Sequence, residues 1–142
     1  MSDAEVGAFL REQRVVAVAT NGRDGWPHVM PLWYTVRDEH DVWIWTYAAS
    51  QKVRNIERDP RATLSLETGE RYEELRGVML RAQAEIERDS DLVKALGTEI
   101  YSRYMGTLAD DVVESIARQA PKRVGIRFAE VGRATWDHRK LA

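Results

Sequence analysis

Trp43-Ile44-Trp45-Thr46-Tyr47-Ala48-Ala49-Ser50-Gln51-Lys52-Val53-Arg54-Asn55 joins two kinds of periodicity in one stretch. An alternating aromatic and β-branched run stops at two alanines and a serine, after which Val53 and Ile56 stand three apart and Asp59-Pro60 closes the segment. This predicts a strand that delivers a helix N-terminus. The backbone amides of Gln51, Lys52 and Val53 then lack intrahelical partners, and the aligned peptide dipoles make the spot partly positive, so that anions bind there. Ser50 is placed to act as N-cap or as a phosphate ligand, Lys52 adds a mobile charge in the first turn, and Arg54 adds a planar fork of donors. Cations at a helix N-terminus oppose its dipole, so local stability does not account for Lys52, whereas an anionic ligand does. A capped surface helix with solvated charges fits Ser-x-Lys-x-Arg equally well; the aromatic strand feeding it favours binding.

Upstream, Ser2-Asp3-Ala4-Glu5 has capping-box spacing, and Val6, Phe9 and Leu10 form an apolar stripe, predicting a short first helix across a barrel end. Arg14 to Thr20 is a nearly continuous β-branched and alanine run, expected of a strand buried on both faces, and Asn21 to Gly25 supplies hairpin turn chemistry. From Trp26 to Val36 a single alternating strand is expected, with Trp26, His28, Met30, Leu32 and Tyr34 on one face and Pro27, Val29, Pro31 and Trp33 on the other. Its prolines cannot donate to a ladder, which predicts a bulge or a sheet edge around Pro31 with backbone groups free for a ligand.

Downstream, Ala62 to Glu67 reads as a fourth strand and Gly77 to Glu87 as a longer fifth, joined by a charged link from Thr68 to Arg76 that suits a lid or an interface loop. Ser90 is expected to cap a helix ending at Gly106. Asp110 to Ala120 reads as another helix, with Val112, Val113, Ile116 and Ala117 inward and Pro121 as its stop; Arg123 to Glu130 reads as the sixth strand. The expected fold is therefore mainly β with peripheral helices, a six-stranded antiparallel barrel forming one domain over residues 1–142. A parallel nucleotide-binding sheet is disfavoured, because no glycine-rich phosphate loop is present.

Composition narrows the function. The 142 residues are 44% apolar and 31% charged, ordinary for a globular domain. With 21 basic and 23 acidic side chains there is no global field to recruit nucleic acid or an anionic membrane, so any anion site must be local. The absence of cysteine removes disulfides, thiolate metal sites and a thiol nucleophile, and is compatible with a reducing compartment. An acidic N-terminus without a long apolar run predicts a soluble cytoplasmic protein. His28, His40 and His138 are isolated from one another, so no metal site is expected. What remains is a planar, anionic ligand: Trp33, Trp45 and Tyr47 can line a slot for its ring and Ser50, Lys52 and Arg54 can take its phosphate, although some of the five tryptophans must fill the core.

The succession Pro-His-Val-Met-Pro-Leu-Trp-Tyr (27–34), Trp-Ile-Trp-Thr-Tyr (43–47), Ser-Gln-Lys-Val-Arg-Asn-Ile (50–56), Asp-Pro-Arg-Ala-Thr-Leu (59–64) and Tyr-Glu-Glu-Leu-Arg-Gly-Val (72–78) resembles the pyridoxamine 5′-phosphate oxidase-like split-barrel flavoproteins. Within them it is most similar to the actinobacterial group that uses the deazaflavin coenzyme F420. The resemblance implies a split-barrel homodimer with cofactor sites at the subunit interface. Ser50, Lys52 and Arg54 would hold the phosphate with help from Asn55, while Met30, Pro31, Leu32, Trp33, Trp45, Thr46 and Tyr47 would flank the ring. Arg58, Arg61 or Arg71 would meet a polyglutamate tail, and partner side chains near Trp136 would complete the pocket. The implied chemistry is hydride transfer between reduced F420 and an unsaturated or conjugated acceptor, with His28, Tyr47 or solvent as the candidate proton donors. An FMN-dependent oxidoreductase, or a non-catalytic protein holding a flavin, haem or another tetrapyrrole, are the alternatives.

Overall fold

The computed structural model describes residues 1–141. Among these, the strands are β1 (Val16–Asn21), β2 (Pro27–Leu32), β3 (Thr35–Arg37), β4 (Asp41–Tyr47), β5 (Arg61–Thr68), β6 (Arg76–Glu87) and β7 (Arg123–Asp137). The helices are α1 (Asp3–Glu12), α2 (Gln51–Arg58), α3 (Ser90–Met105) and α4 (Asp110–Gln119). All neighbouring strands pair antiparallel in one sheet, in the order β2-β1-β5-β6-β7-β4-β3.

That order puts β2 and β3 at opposite edges, yet only Trp33 and Tyr34 separate them in the chain. Three peptide steps reach about 11 Å at most, so the two edges must lie side by side and the sheet must curl into a barrel. The edges do not pair with each other, and the barrel is split there. The single strand expected from Trp26 to Val36 is thus two strands, giving seven rather than six. The break has a cause at Tyr34, whose amide donates to the Tyr104 hydroxyl (3.1 Å) and whose carbonyl accepts from Arg103 (3.0 Å). Side chains of α3 thereby take the backbone groups that a continuing ladder would use. Pro31 lies in an edge strand, where its missing donor is tolerated.

Curling gives the sheet an inside, filled by Val16, Val18, Leu64, Leu66, Val78, Leu80, Ile126 and Phe128, and closed by Val6, Phe9 and Leu10 of α1 and Val53 and Ile56 of α2. Burial in β1 alternates rather than being continuous, because Ala17 and Ala19 face away from this core. Strand β4 alone is buried on both faces along most of its length: Val42 and Ile44 enter the barrel, while Trp43 and Trp45 pack outside against Val93, Leu96 and Ile100 of α3 and Ile116 of α4. An indole fits there because Gly97 faces it; a Cβ at that position would lie 2.7 Å from the Trp45 ring.

Two other boundaries, one helix face and one link differ from expectation. Asp89, not Ser90, caps α3, its carboxylate accepting from the Leu92 amide (3.0 Å). Strand β7 runs on to Asp137, because a bulge opposite Arg81 and Ala82 absorbs Val131 and pairing then resumes at Gly132. Beyond the bulge Trp136 lies on Gly77 of the same chain, where a Cβ would come within 2.0 Å of the ring. In α4 only Ile116 is fully buried, while Val113 and Ala117 face outward. The link after β5 is a short helical turn, Tyr72–Glu74, docked on the C-terminal turn through a contact between the Tyr72 carbonyl and His138 Nδ1 (2.7 Å).

Candidate functional site

Register places the site. Antiparallel pairing of β4 with β7 sets Tyr47 opposite Arg123, Thr46 opposite Val124 and Trp45 opposite Gly125. The chain then turns through Ala48 and Ala49, with the Ser50 amide bonded to the Tyr47 carbonyl (3.1 Å), and α2 begins. Ser50 occupies the N-cap position with extended dihedrals, but its hydroxyl makes no capping bond; its Oγ is buried and has no partner.

Lys52 turns inward from the first turn of α2 and is 8% exposed. Its ammonium donates to Thr46 Oγ1 (2.7 Å), and among the described residues it has no carboxylate partner. Burial lowers its pKa, and the nearby positive charge of Arg123 lowers it further. The Arg123 guanidinium lies 3.6 Å from the Tyr47 ring centroid and 4.6 Å from that of Trp45. One edge donates to Gln119 Oε1 (2.7 Å), while Nε is buried without a partner. Two cations, an idle hydroxyl and an idle guanidinium N–H thus surround the start of α2. Donors that are buried and unspent are costly, and an anion that reached them would relieve that cost.

Arg54 lies on the other side of α2. With Arg23, Arg58, Gln51, Trp26 and His28 it lines a cleft of about 660 Å³ in which Asp24 is the one carboxylate. His28 Nδ1 is buried there without a partner. Asn55 touches this cleft too, but it is fully buried and its side chain is already engaged: it donates to Thr20 Oγ1 (3.1 Å) and accepts from Gln51 Nε2 (2.9 Å). Its place is to hold α2 on β1.

Met30, Pro31 and Trp33 are exposed and Leu32 is half-buried along β2 and its exit. Tyr101 of α3 links them to the other ring-lining segment: Trp33 meets it edge-on at 5.7 Å, and Trp45 does so at 6.0 Å. Trp33 also stacks on Tyr104 (4.3 Å). The expected residues therefore fall into two groups flanking α2, with Trp45, Thr46, Tyr47, Ser50 and Lys52 on one side and His28, Arg54 and Asn55 on the other. Arg58 belongs with the second group, whereas Arg61 is bonded to Asp59 and lies apart from this cleft. Sequence reading missed Arg123 and Tyr101. Position 123 was seen only as a strand start; its opposition to Tyr47 depends on the β4–β7 register, which no local pattern encodes.

The family model for pyridoxamine 5′-phosphate oxidase matches residues 2–135. This chain belongs to the pyridoxamine 5′-phosphate oxidase family. The split barrel of that family is a flavin-binding fold. The conserved hypothetical protein Rv2991 from Mycobacterium tuberculosis is 39% identical, with a TM-score of 0.92 over 99% of this chain and 88% of that one. An F420 reductase shares the fold at 23% identity and a TM-score of 0.73, covering 89% of this chain and 94% of its own. So does the haem storage protein HutZ from Vibrio cholerae, at 18% identity and 0.69, covering 92% and 91%. Below a quarter identity, the likeness to these last two shows the fold alone. No curated protein matches the chain. Among the described residues, no helix is long and apolar enough to cross a membrane.

Proposed function

We propose that this member of the family is an F420-dependent reductase acting on an unsaturated or conjugated small molecule. The observation that carries the reading is the unspent donor set at the start of α2: Ser50 Oγ and Arg123 Nε without partners beside a Lys52 that has no carboxylate. That set fits a phosphate. Ser50, Lys52 and the amides of Gln51 and Lys52 would receive it, with Asn55 fixing the helix behind them. When bound, the deazaflavin supplies a carbon that accepts or donates hydride. The protein's part is to orient the ring between Met30 to Trp33 and Trp45 to Tyr47, to exclude water, and to offer a proton from Tyr47 Oη; His28, in the cleft beyond α2, lies on the side given to the tail.

Preference for F420 over FMN rests on the arginine cleft. FMN ends at its phosphate, whereas F420 continues into an acidic tail, and Arg23, Arg54 and Arg58 line a cleft beside the same helix with one opposing carboxylate. Two chains would share each site. Trp26, Val29, Met30 and Trp33 are exposed along the β2 edge, an apolar surface suited to a second copy.

Titration followed by tryptophan fluorescence tests the assignment: F420 should quench more tightly than FMN, and the reverse order rejects it in favour of an FMN enzyme. Reduced cofactor mixed with enones, quinones and biliverdin then tests turnover. Binding without oxidation of the cofactor by any of them would make this a carrier instead.

A further inference from the structure

Arginines on and just after β7 are otherwise neutralised. Arg127 meets Asp41 and Glu85 (both 2.9 Å), Arg133 meets Asp3 and Glu130 (both 3.0 Å), and Arg139 meets Asp137 (2.7 Å). Arg123 has no such partner among the described residues, although it lies close enough to Lys52 for its charge to disfavour that of the ammonium. Two like charges without a counterion are an expensive arrangement to fold, and its position needs a reason.

Arg123 is also held more firmly than a surface arginine. Tyr47 and Trp45 present their ring faces to it, and Gln119 accepts from one terminal nitrogen while donating to Ser115 Oγ (2.9 Å). Trp45 in turn is seated against Gly97. The planar fork is thus fixed on its faces and along one edge, which leaves Nε as the buried donor with nothing to bind.

We propose that Arg123 is a direct ligand of the anionic group received by Ser50 and Lys52, and that it makes the site selective for phosphorylated over unphosphorylated forms of the same ring. This rests on the phosphate assignment made above and adds a residue to it. A lysine at position 123 would keep the charge but lose the planar seat on Tyr47 and Trp45, so guanidinium shape matters as well as charge.

Two ligand pairs that differ only by phosphorylation test the proposal: FMN against riboflavin, and the tail-free 5′-phosphomonoester of the ribityl deazaflavin core against the same core without phosphate. Affinities are read by fluorescence for the wild type, Arg123→Gln and Arg123→Lys. A charge-assisted hydrogen bond is worth roughly tenfold or more in affinity, so Arg123→Gln should weaken the phosphorylated ligand about tenfold and leave the unphosphorylated one unchanged, with Arg123→Lys between. Equal losses for both members of a pair would make Arg123 a structural residue and overturn the proposal. No loss of affinity for either member in Arg123→Gln would overturn it too, while leaving the assignment to Ser50 and Lys52 standing. A wild type that does not prefer the phosphorylated member of either pair would overturn both.

Discussion

Arg103 and Arg123 are each seated on two aromatic rings, and they do opposite things. Arg103 lies over Tyr34 (4.5 Å) and Tyr104 (5.1 Å), and its terminal nitrogens donate to the carbonyls of Tyr34, Leu10, Arg11 and Gln13. Its hydrogen-bonding capacity is spent on closing the last turn of α1 and on the break between β2 and β3. Arg123 lies over Tyr47 and Trp45 with one bond to Gln119 and an idle Nε. Stacking therefore does not tell a structural arginine from a binding one. Between these two arginines the unpaired donor makes the difference, because a buried donor left unpaired is costly.

The largest expected effect falls on the saturated arginine. Arg103→Met keeps much of the packing volume but strands several part-buried carbonyls, each worth about 1–3 kcal/mol when left without a donor, and Tyr104 recovers only part of them. Urea unfolding should show a loss of about 3 kcal/mol, while the folded fraction keeps its preference for FMN over riboflavin. Arg123→Gln should do the reverse. If Arg103→Met leaves stability unchanged, the contrast between the two sites collapses.

Gly97→Ala sharpens the comparison, since it reaches Arg123 without altering it. The new Cβ lies 2.7 Å from the Trp45 indole, which must move, and overpacking of this kind costs about 1–3 kcal/mol. Because Trp45 is part of the seat of Arg123, phosphorylated ligands should weaken more than unphosphorylated ones. Equal weakening would show that the indole and the guanidinium are not mechanically linked.

Much of this was legible in the sequence, and what escaped follows one physical rule. Signals carried by neighbours in the chain read correctly: the capping box at Ser2 and Glu5, the inward alternation from Val78 to Ala84, and the strand-to-helix turn at Tyr47 to Gln51. Features set by distant residues did not. The break at Tyr34 is made by Arg103 and Tyr104 some seventy positions later in the chain (separations of 69 and 70). The extension of β7 depends on a bulge against β6, and Arg123 acquires its meaning only from its partner across the sheet. At the candidate site, the placement of Ser50 and Lys52 at the start of α2 was legible because a helix start is a local event. Which of their donors would stay unspent was not.

Titration separates the two regions in a different way. Burial raises the Tyr34 phenol from 10.0 to about 12, and its hydroxyl donates to the carbonyls of Leu10 (2.5 Å) and Gln13 (2.9 Å). The unfolded chain releases this proton near pH 10 while the folded one keeps it, so stability is fully present below pH 10 and falls as pH rises toward 12. Tyr34→Phe should flatten that decline in urea unfolding. Lys52 shifts the other way, below its ordinary 10.5. An anion beside it restores the charged form, so affinity for a phosphomonoester should level off once its second proton is lost and fall as pH climbs through the lowered value. Thr46 and Gln119 do not titrate, and Tyr47→Phe controls for the nearby phenol. The fall should vanish in Lys52→Gln, where affinity is low at every pH.

Ser50→Ala is expected to change stability least. Removing an N-cap hydroxyl ordinarily costs about 1 kcal/mol, because the N2 or N3 amide loses its acceptor. Here the hydroxyl accepts from neither, and its oxygen is buried without a partner, so the substitution removes a polar group whose burial was uncompensated. Urea unfolding should therefore place Ser50→Ala within about 0.5 kcal/mol of the wild type, on either side. Affinity for phosphorylated ligands should nevertheless fall several-fold, with the unphosphorylated pair members unaffected. A loss of a full cap's worth of stability would mean that Ser50 serves α2 in solution, and that its oxygen is not held back for a ligand.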